Sequence, residues 1–151
     1  MNNFIKTFLL LFLIVPTTSF GYEFSAMTLN VDNLFDTLDD IKKDDKAYLP
    51  IEFKQSEAHK KSCNRIRVNS WKNECLYLDW NEETKNAKLR NIANSIISYG
   101  QNGPDIIALQ EVENNNILSQ LLELLKPYGY IDSVLIEGKD YRGIDLSLIH
   151  I

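Results

Sequence analysis

Two segments carry apolar residues at the spacing of an amphipathic helix. Within residues 78–100 the apolar positions recur at intervals of three and four, which predicts a helix with one buried stripe. Residues from about Asn114 to Lys126 repeat the pattern, and Pro127 would end that helix. Suitable N-caps precede both stripes: Asp79 or Asn81 for the first, Asn114 or Asn115 for the second. The stripes consist of Leu89, Ile92, Ala93, Ile96 and Ile97, and of Leu118, Leu121, Leu122 and Leu125.

Four other segments have the pattern of strands. Residues 22–31 alternate in polarity, and we expect this strand to be covered on both faces. Residues 105–110 form a short apolar run, and residues 130–136 and 144–151 follow around a glycine-containing turn. The predicted order is β, long loop, α, β, α, β, β, which is an α/β fold.

Residues 41–78 show neither period and predict a long polar loop. Cys63 and Cys75 lie in it, and in an exported protein two nearby cysteines favour one disulfide; two free thiols are the alternative. A metal site built on these cysteines and His59 lacks both the Cys-x-x-Cys spacing and a fourth ligand.

The first 21 residues have the pattern of a secretory signal peptide: Lys6, a short apolar run, then Ser19 and Gly21 before a cleavage point. An uncleaved anchor is the alternative. Residues 22–151 are then one exported domain, periplasmic or secreted. We expect it to be a monomer. We also expect no stable membrane association after cleavage, because no other segment is apolar enough to cross a bilayer.

The net charge of −5 does not favour binding of nucleic acid by bulk charge. One stretch, residues 53–73, is nevertheless basic and contains Trp71, so it is suited to track a nucleic-acid backbone or is simply a solvated loop. Residues 32–45 are acidic and are a candidate Ca²⁺ segment, although they lack the ligand spacing of an EF-hand. The basic residues are Lys54, Lys60, Lys61, Arg65, Arg67 and Lys72.

Polar side chains end two of the predicted strands, Asn30 the first and Glu111 the second. Ligands of open α/β sheets bind at the carboxyl ends of strands, so neighbouring strands would bring both residues to one rim. Mg²⁺ takes one or two carboxylates together with waters and phosphate oxygens. The alternatives are that Glu111 is a solvated loop residue or favours the next helix through its dipole, and that Asn30 is a turn residue. We expect Glu113 at the start of that helix.

Four motifs stand out along the chain: "MTLNVDNLFDT" (residues 27–37), "KLRNIANSI" (88–96), "PDIIALQEVEN" (104–114) and "YRGIDLSLI" (141–149). Together and in this order they resemble the endonuclease/exonuclease/phosphatase superfamily, which has the DNase I-like fold. The closest resemblance is to an exported bacterial branch whose first motif reads Asn-Val-Glu-Asn-Leu-Phe-Asp.

The resemblance implies a metal-dependent phosphodiesterase or phosphatase. Glu111 matches the metal-binding glutamate, for Mg²⁺ or else Mn²⁺ or Ca²⁺, and Asn30 matches the asparagine that helps bind the phosphate or the metal. Arg142 either contacts phosphate or is a surface residue of a turn. Asp145 is expected to serve structure at the start of its strand. Asp32 stands where the branch often has an acid, but it is not assigned as a ligand.

The resemblance also implies motifs that this sequence lacks: an Asp-x-Asn block, a further aspartate and a late Asp-His pair. His59 and His150 lie outside the expected motifs. We therefore expect an N-terminal portion of an α/β sandwich, inactive alone, with an open sheet edge and an uncovered apolar face.

The function expected for the whole protein is that of an exported nuclease, an endonuclease with nucleic acid as its substrate. One alternative is a sphingomyelinase-like enzyme acting on lipid or sugar phosphodiesters. Another is a non-catalytic remnant that keeps only the fold.

Overall fold

The computed structural model describes residues 21–151, so the predicted signal peptide lies outside the described residues apart from Gly21. The α/β class expected from the sequence is confirmed. No helix in the described part combines the length and apolar content needed to cross a bilayer. The strands are β1 Ala26–Leu34, β2 Ile106–Val112, β3 Asp132–Ile136 and β4 Asp145–His150. The helices are α1 Glu57–Cys63, α2 Asn69–Tyr77, α3 Glu82–Ile97 and α4 Asn115–Leu125, with short 3-10 helices at Lys46–Tyr48, Ile51–Lys54 and Lys126–Tyr128.

The four strands form one mixed sheet in the order β1-β2-β4-β3. β1 and β2 are parallel neighbours, with Asn30 opposite Gln110. β4 runs antiparallel to both β2 and β3. The connection from β1 to β2 passes through the helices α1 to α3, as a parallel pair requires a crossover. The carboxyl ends of β1 and β2 therefore lie at the same edge of the sheet.

Helices α3 and α4 bury their predicted apolar stripes against one face of the sheet. Leu89, Ile96 and Leu121 are at most 2 % exposed in a core shared with Ile107 and Ile149. The side chains of Asn81 and Asn114 are the N-caps, accepting the backbone N–H groups of the residues three positions on. Burial of these stripes explains why their sequence pattern was so clear.

The other face of the sheet is uncovered within the described residues, so the expectation that β1 is covered on both faces is wrong. Met27 and Leu29 of β1 pack against the core, whereas Ala26 and Thr28 on the opposite face are exposed. Val134, Ile136 and Leu146 make that exposed face apolar, each more than half accessible. The apolar open face expected from the sequence is thus present in residues 21–151.

Residues 41–78 are not the long loop predicted, because they contain α1 and α2. These helices are short and turn few apolar residues inward: Cys63 of α1 and Cys75 of α2 are the cysteines buried between them. Cys63 and Cys75 form a disulfide with their Cα atoms 5.6 Å apart. Helices α1 and α2 bury few apolar side chains, and the disulfide holds them to each other. Helices α3 and α4 are held instead by burial of their apolar stripes.

Lys54 is buried at 1 % exposure, which removes it from the basic surface expected between residues 53 and 73. Its ammonium donates to the carbonyl oxygens of Ala47 and Leu78 at 2.6 Å, and to that of Glu74 at 3.2 Å. The Glu74 and Leu78 carbonyls belong to the C-terminal end of α2, where the helix dipole favours a positive charge. Lys54 therefore fixes this end of α2 to the 3-10 helix at Lys46–Tyr48.

Replacement of Lys54 by methionine keeps most of the buried volume but leaves the carbonyls of Ala47, Glu74 and Leu78 without their donor. We expect the free energy of unfolding to fall by about 2 kcal/mol, since hydrogen bonds to a charged group are among the stronger ones. Urea denaturation of the variant measures this loss. The same change at Lys61, which is exposed on α1, is the control, and equal stability of both variants would contradict the role given to Lys54.

Candidate functional site

Asn30 and Glu111 meet at the rim formed by the carboxyl ends of β1 and β2, as the strand-end argument predicted. The Asn30 side-chain amide donates to Glu111 Oε1 at 3.0 Å. The backbone N–H of Asn33 donates to Glu111 Oε2 at 3.1 Å. Both carboxylate oxygens are thereby fixed by neutral donors, which sets the orientation of the side chain without neutralising its charge.

The backbone at this rim is irregular on both strands. Asn30 pairs with Gln110 and Leu34 with Val112, so three residues of β1 stand opposite Glu111 alone. Asp32, Asn33 and Glu111 have φ of 53°, 62° and 68°, and they are the non-glycine residues with positive φ in the described part. Such conformations cost free energy in L-residues and cluster at functional sites. The bulge carries Glu111 out of the regular alternation of β2.

Lys88 of α3 supports the bulge from beneath. Its ammonium donates to the backbone carbonyl of Asp32 and lies 4.0 Å from the Asp32 carboxylate. Burial lowers the pKa of Lys88, while the charges of Asp32 and Glu111 oppose that change. The Asp32 backbone N–H in turn donates to Asn30 Oδ1 at 2.7 Å. Lys88 thus fixes Asp32, and Asp32 fixes the Asn30 side chain. No role was assigned to Lys88 or to this turn from the sequence.

The donor set at Glu111 fits a Mg²⁺ ion that keeps most of its waters. No cationic side chain hydrogen-bonds to Glu111 among residues 21–151, and each oxygen retains a free lone pair. In the same residues no three carboxylates approach within 4.8 Å of one another, so an all-protein Ca²⁺ cage does not form. One oriented carboxylate with open positions for water and phosphate is the arrangement that Mg²⁺ accepts.

The acidic segment 32–45 does not gather its carboxylates around a cation position. Asp36 is buried, and its oxygens accept the Leu38 backbone N–H and the side-chain amides of Asn114 and Asn116. Its hydrogen bonds therefore join the end of β1 to the start of α4. Asp36 thus has a structural role in the described residues.

Glu113 precedes α4 as expected, but it points into the protein. Its carboxylate accepts the Asp36 backbone N–H at 2.7 Å, and the residue is 7 % exposed. Burial raises the pKa of Glu113 to about 8, and the neighbouring charges of Asp36 and Asp45 act in the same direction. Its role is internal and separate from the rim.

Arg142 lies in the β3–β4 loop on the side of the sheet that carries Glu111. The guanidinium binds the Asp140 carboxylate through two hydrogen bonds of 3.1 and 2.8 Å. Asp140, and more weakly Glu111, raises the pKa of Arg142. Asp145 instead accepts the Gly138 backbone N–H at 2.6 Å and closes the same loop, which is a structural role.

Neither histidine of the described residues lies at the Glu111 rim. The imidazole Nε2 of His59 is 2.8 Å from the Cys75 carbonyl oxygen and 3.2 Å from Cys63 Sγ. His59, Cys63 and Cys75 do come within 4.8 Å, but the two sulfurs are joined in the disulfide. His150 pairs with Ile106, at the opposite end of β2 from Glu111. No imidazole base is therefore available at the rim from these residues.

An aromatic group beside the rim was not recognised in the sequence. Tyr48 stacks on Phe35 with ring centroids 4.2 Å apart, and its ring meets Trp80 edge-on at 5.4 Å. The Trp80 indole donates to the Phe35 carbonyl at 3.1 Å. Burial first, and then Glu74, Asp32 and Glu111, raise the pKa of Tyr48 to about 12, so the phenol stays protonated. Its position depends on tertiary packing rather than on a local pattern.

Comparison with known families gives a match to the Endonuclease/Exonuclease/phosphatase family over residues 69–151. The matched range contains Glu111 and Arg142, while Asn30 lies before it. No curated protein and no solved structure matches the chain. The family is hydrolytic and generally depends on divalent metal ions. Since the match covers more than half of the sequence and the fold is α/β, the chain belongs to the endonuclease/exonuclease/phosphatase family.

Proposed function

We propose that this chain provides the metal- and phosphate-binding rim of an exported, Mg²⁺-dependent phosphodiester hydrolase, a nuclease that cuts endonucleolytically. The single observation that carries the proposal is the Glu111 carboxylate, held by Asn30 and Asn33 on a bulge of three positive-φ residues. A charged group fixed this way without a cationic partner is suited to receive a cation.

Each residue at the rim has a distinct task in this proposal. Glu111 holds the Mg²⁺ ion, which when bound would neutralise charge on the phosphate oxygens. Asn30 positions Glu111 and presents a neutral amide to the phosphate. Arg142 supplies a positive charge near the same edge once a substrate competes with Asp140 for the guanidinium. Because the described residues bring no imidazole to the rim, we expect the chain alone to hydrolyse slowly if at all.

Nucleic acid is favoured over a lipid as substrate by the basic surface of α1 and α2. Lys61 of α1 is exposed, and so are Arg65 and Arg67 in the turn between the two helices, although the protein as a whole is acidic. A run of cations beside a phosphodiester site is what a polyanion needs, whereas one lipid headgroup offers a single phosphate. The Cys63–Cys75 disulfide supports export, since structural disulfides persist in oxidising compartments.

The test compares substrates under matched metal conditions. The protein is purified as its source organism produces it, and not as the isolated 151-residue chain. It is incubated with supercoiled plasmid and with sphingomyelin vesicles, each in Mg²⁺ and each with a chelator. We expect Mg²⁺-dependent nicking of the plasmid and no release of phosphocholine. Hydrolysis of sphingomyelin with intact plasmid would overturn the nuclease assignment in favour of a lipid phosphodiesterase. Failure to cut either substrate or to bind Mn²⁺ would favour the non-catalytic remnant.

A further inference from the structure

A cavity of about 530 Å³ lies beside the Glu111 rim and is large enough for a small planar group. Asn33 belongs to both places: its backbone N–H donates to Glu111, and the residue also lines the cavity. Arg142 lines the cavity as well. Whatever occupies this space is therefore next to a phosphate bound at the rim.

Two exposed aromatic side chains line the cavity from different parts of the chain. Trp71 of α2 is 62 % exposed and Tyr141 of the β3–β4 loop is 70 % exposed. Tyr48, fixed by its stacking on Phe35, is a third aromatic lining residue. Large exposed aromatics around one concave space are typical of sites that stack a planar ligand, and nucleobases stack on such side chains irrespective of sequence.

Both aromatic segments are anchored without help from a ligand. Helix α2 is held by the disulfide at Cys75, which itself lines the cavity, and by Lys54 at its C-terminal end. The Tyr141 carbonyl accepts the Asp44 backbone N–H at 3.0 Å, which fixes the β3–β4 loop. A cavity organised in advance loses less entropy on binding than a flexible surface does.

The charges around the cavity indicate a base rather than a phosphate as its occupant. Asp44, Glu74 and Asp140 line it against one cation, Arg142, which is already paired with Asp140. Carboxylates repel phosphate but accept hydrogen bonds from the exocyclic amino groups of bases. The exposed cations Lys61, Arg65 and Arg67 do not line this cavity and are suited to the backbone of the same strand.

We infer that this cavity is a stacking subsite for an unpaired nucleobase next to the scissile phosphate, so that the substrate is single-stranded or locally unpaired nucleic acid. The inference rests on the proposed nuclease function and narrows its substrate. A quaternary ammonium headgroup also suits an aromatic site with carboxylates, but it does not use the basic surface. Binding of such a headgroup in place of nucleic acid would overturn the assignment.

The experiment measures binding of a fluorescent single strand of roughly 12 nucleotides, and of its duplex, by anisotropy in Mg²⁺. We expect the single strand to bind more tightly than the duplex. Trp71→Ala should weaken single-strand binding about tenfold with little effect on the duplex, because one stacking contact is lost. Trp71→Phe should retain most of the affinity, and Tyr77→Ala, an exposed aromatic of α2 outside the cavity lining, should change nothing.

Titration with Mn²⁺, followed by electron paramagnetic resonance, separates this inference from the proposed function. If Mn²⁺ binds but single strand and duplex bind equally and Trp71→Ala has no effect, the subsite is wrong and the metal site stands. If Mn²⁺ does not bind while the Trp71-dependent preference persists, the metal-dependent function fails instead. Trp71-dependent binding of sphingomyelin vesicles, without binding of either nucleic acid, would overturn the nucleobase assignment.

Discussion

Replacing Glu111 by glutamine is expected to lower Mg²⁺-dependent phosphodiester hydrolysis by roughly a thousandfold, since a catalytic metal contributes several kcal/mol to the transition state. Glutamine has the same shape and keeps an oxygen for the Asn30 or Asn33 donor, but it removes the charge that holds the cation. The decrease is measured as kcat/KM on plasmid DNA with the protein in its natural form. Mn²⁺ binding by the 151-residue chain should be lost in parallel.

The fold must survive this substitution for the result to be informative. Glu111→Gln keeps one of the two hydrogen bonds that the Glu111 side chain accepts and loses the other. Since one such bond is worth about 1 kcal/mol, the melting temperature should fall by only about 4 °C. Glu123→Gln removes one negative charge from the exposed face of α4 and is the matched control; it should leave hydrolysis and Mn²⁺ binding unchanged. Retention of Mn²⁺ binding in Glu111→Gln would refute the metal assignment, whatever the rate.

The meeting of Asn30 and Glu111 could be predicted because each ends a predicted strand, and parallel neighbouring strands bring such ends together. The strand pattern alone left other roles open for both residues, and the resemblance of the four motifs favoured a site. The sequence did not reveal the bulge, since the positive φ of Asp32, Asn33 and Glu111 depends on mismatched pairing between distant strands. The hydrogen bond from the Asn33 backbone N–H to Glu111 follows from that pairing. Because every residue except proline has a backbone N–H, the residue type at position 33 does not indicate this bond.

The errors concern residues whose environment is set by tertiary contacts. Lys54 resembled a surface lysine in the sequence because its partners are backbone carbonyls up to 24 residues away. Helices α1 and α2 lack an apolar stripe because a disulfide anchors them, so the period that identified α3 and α4 was absent. Glu113 lies before a helix as predicted, but the sequence did not indicate its burial, which depends on Asp36 just after β1.

Asp45 gives the second large effect, a change in how stability depends on pH. The residue is 1 % exposed, one oxygen accepts the Asp40 backbone N–H at 2.7 Å, and the other has no partner within residues 21–151. Burial raises the pKa of Asp45 to about 6, with Asp39 and Asp40 adding to the rise. A carboxyl group whose pKa is higher in the folded state binds its proton more tightly there than in the unfolded chain.

The stabilising contribution of Asp45 is therefore complete below about pH 4, the ordinary range of an aspartate, and is lost as the pH rises through about 6. A difference of two pKa units corresponds to about 3 kcal/mol. Asparagine keeps an acceptor for the Asp40 N–H and carries no charge at any pH. Asp45→Asn should thus unfold at higher urea concentration than the wild type near neutral pH, and the two should converge near pH 4.

Urea denaturation at several pH values between about 4 and 8 measures this difference. Glu113 shifts in the same direction as Asp45, so both proteins should still lose some stability with rising pH, and the Asp45 contribution is the difference between their slopes. Glu52→Gln, at an exposed position, also removes one negative charge, but Glu52 is not among the groups that shift the pKa of Asp45, so this variant should keep the wild-type slope. An Asp45→Asn variant whose stability falls as steeply as that of the wild type would show that Asp45 is ionised in the folded protein throughout this range. A cation or a water at the unpaired oxygen would then compensate for the burial of the Asp45 carboxylate. Binding of Ca²⁺ to residues 32–45 should be measured in that case.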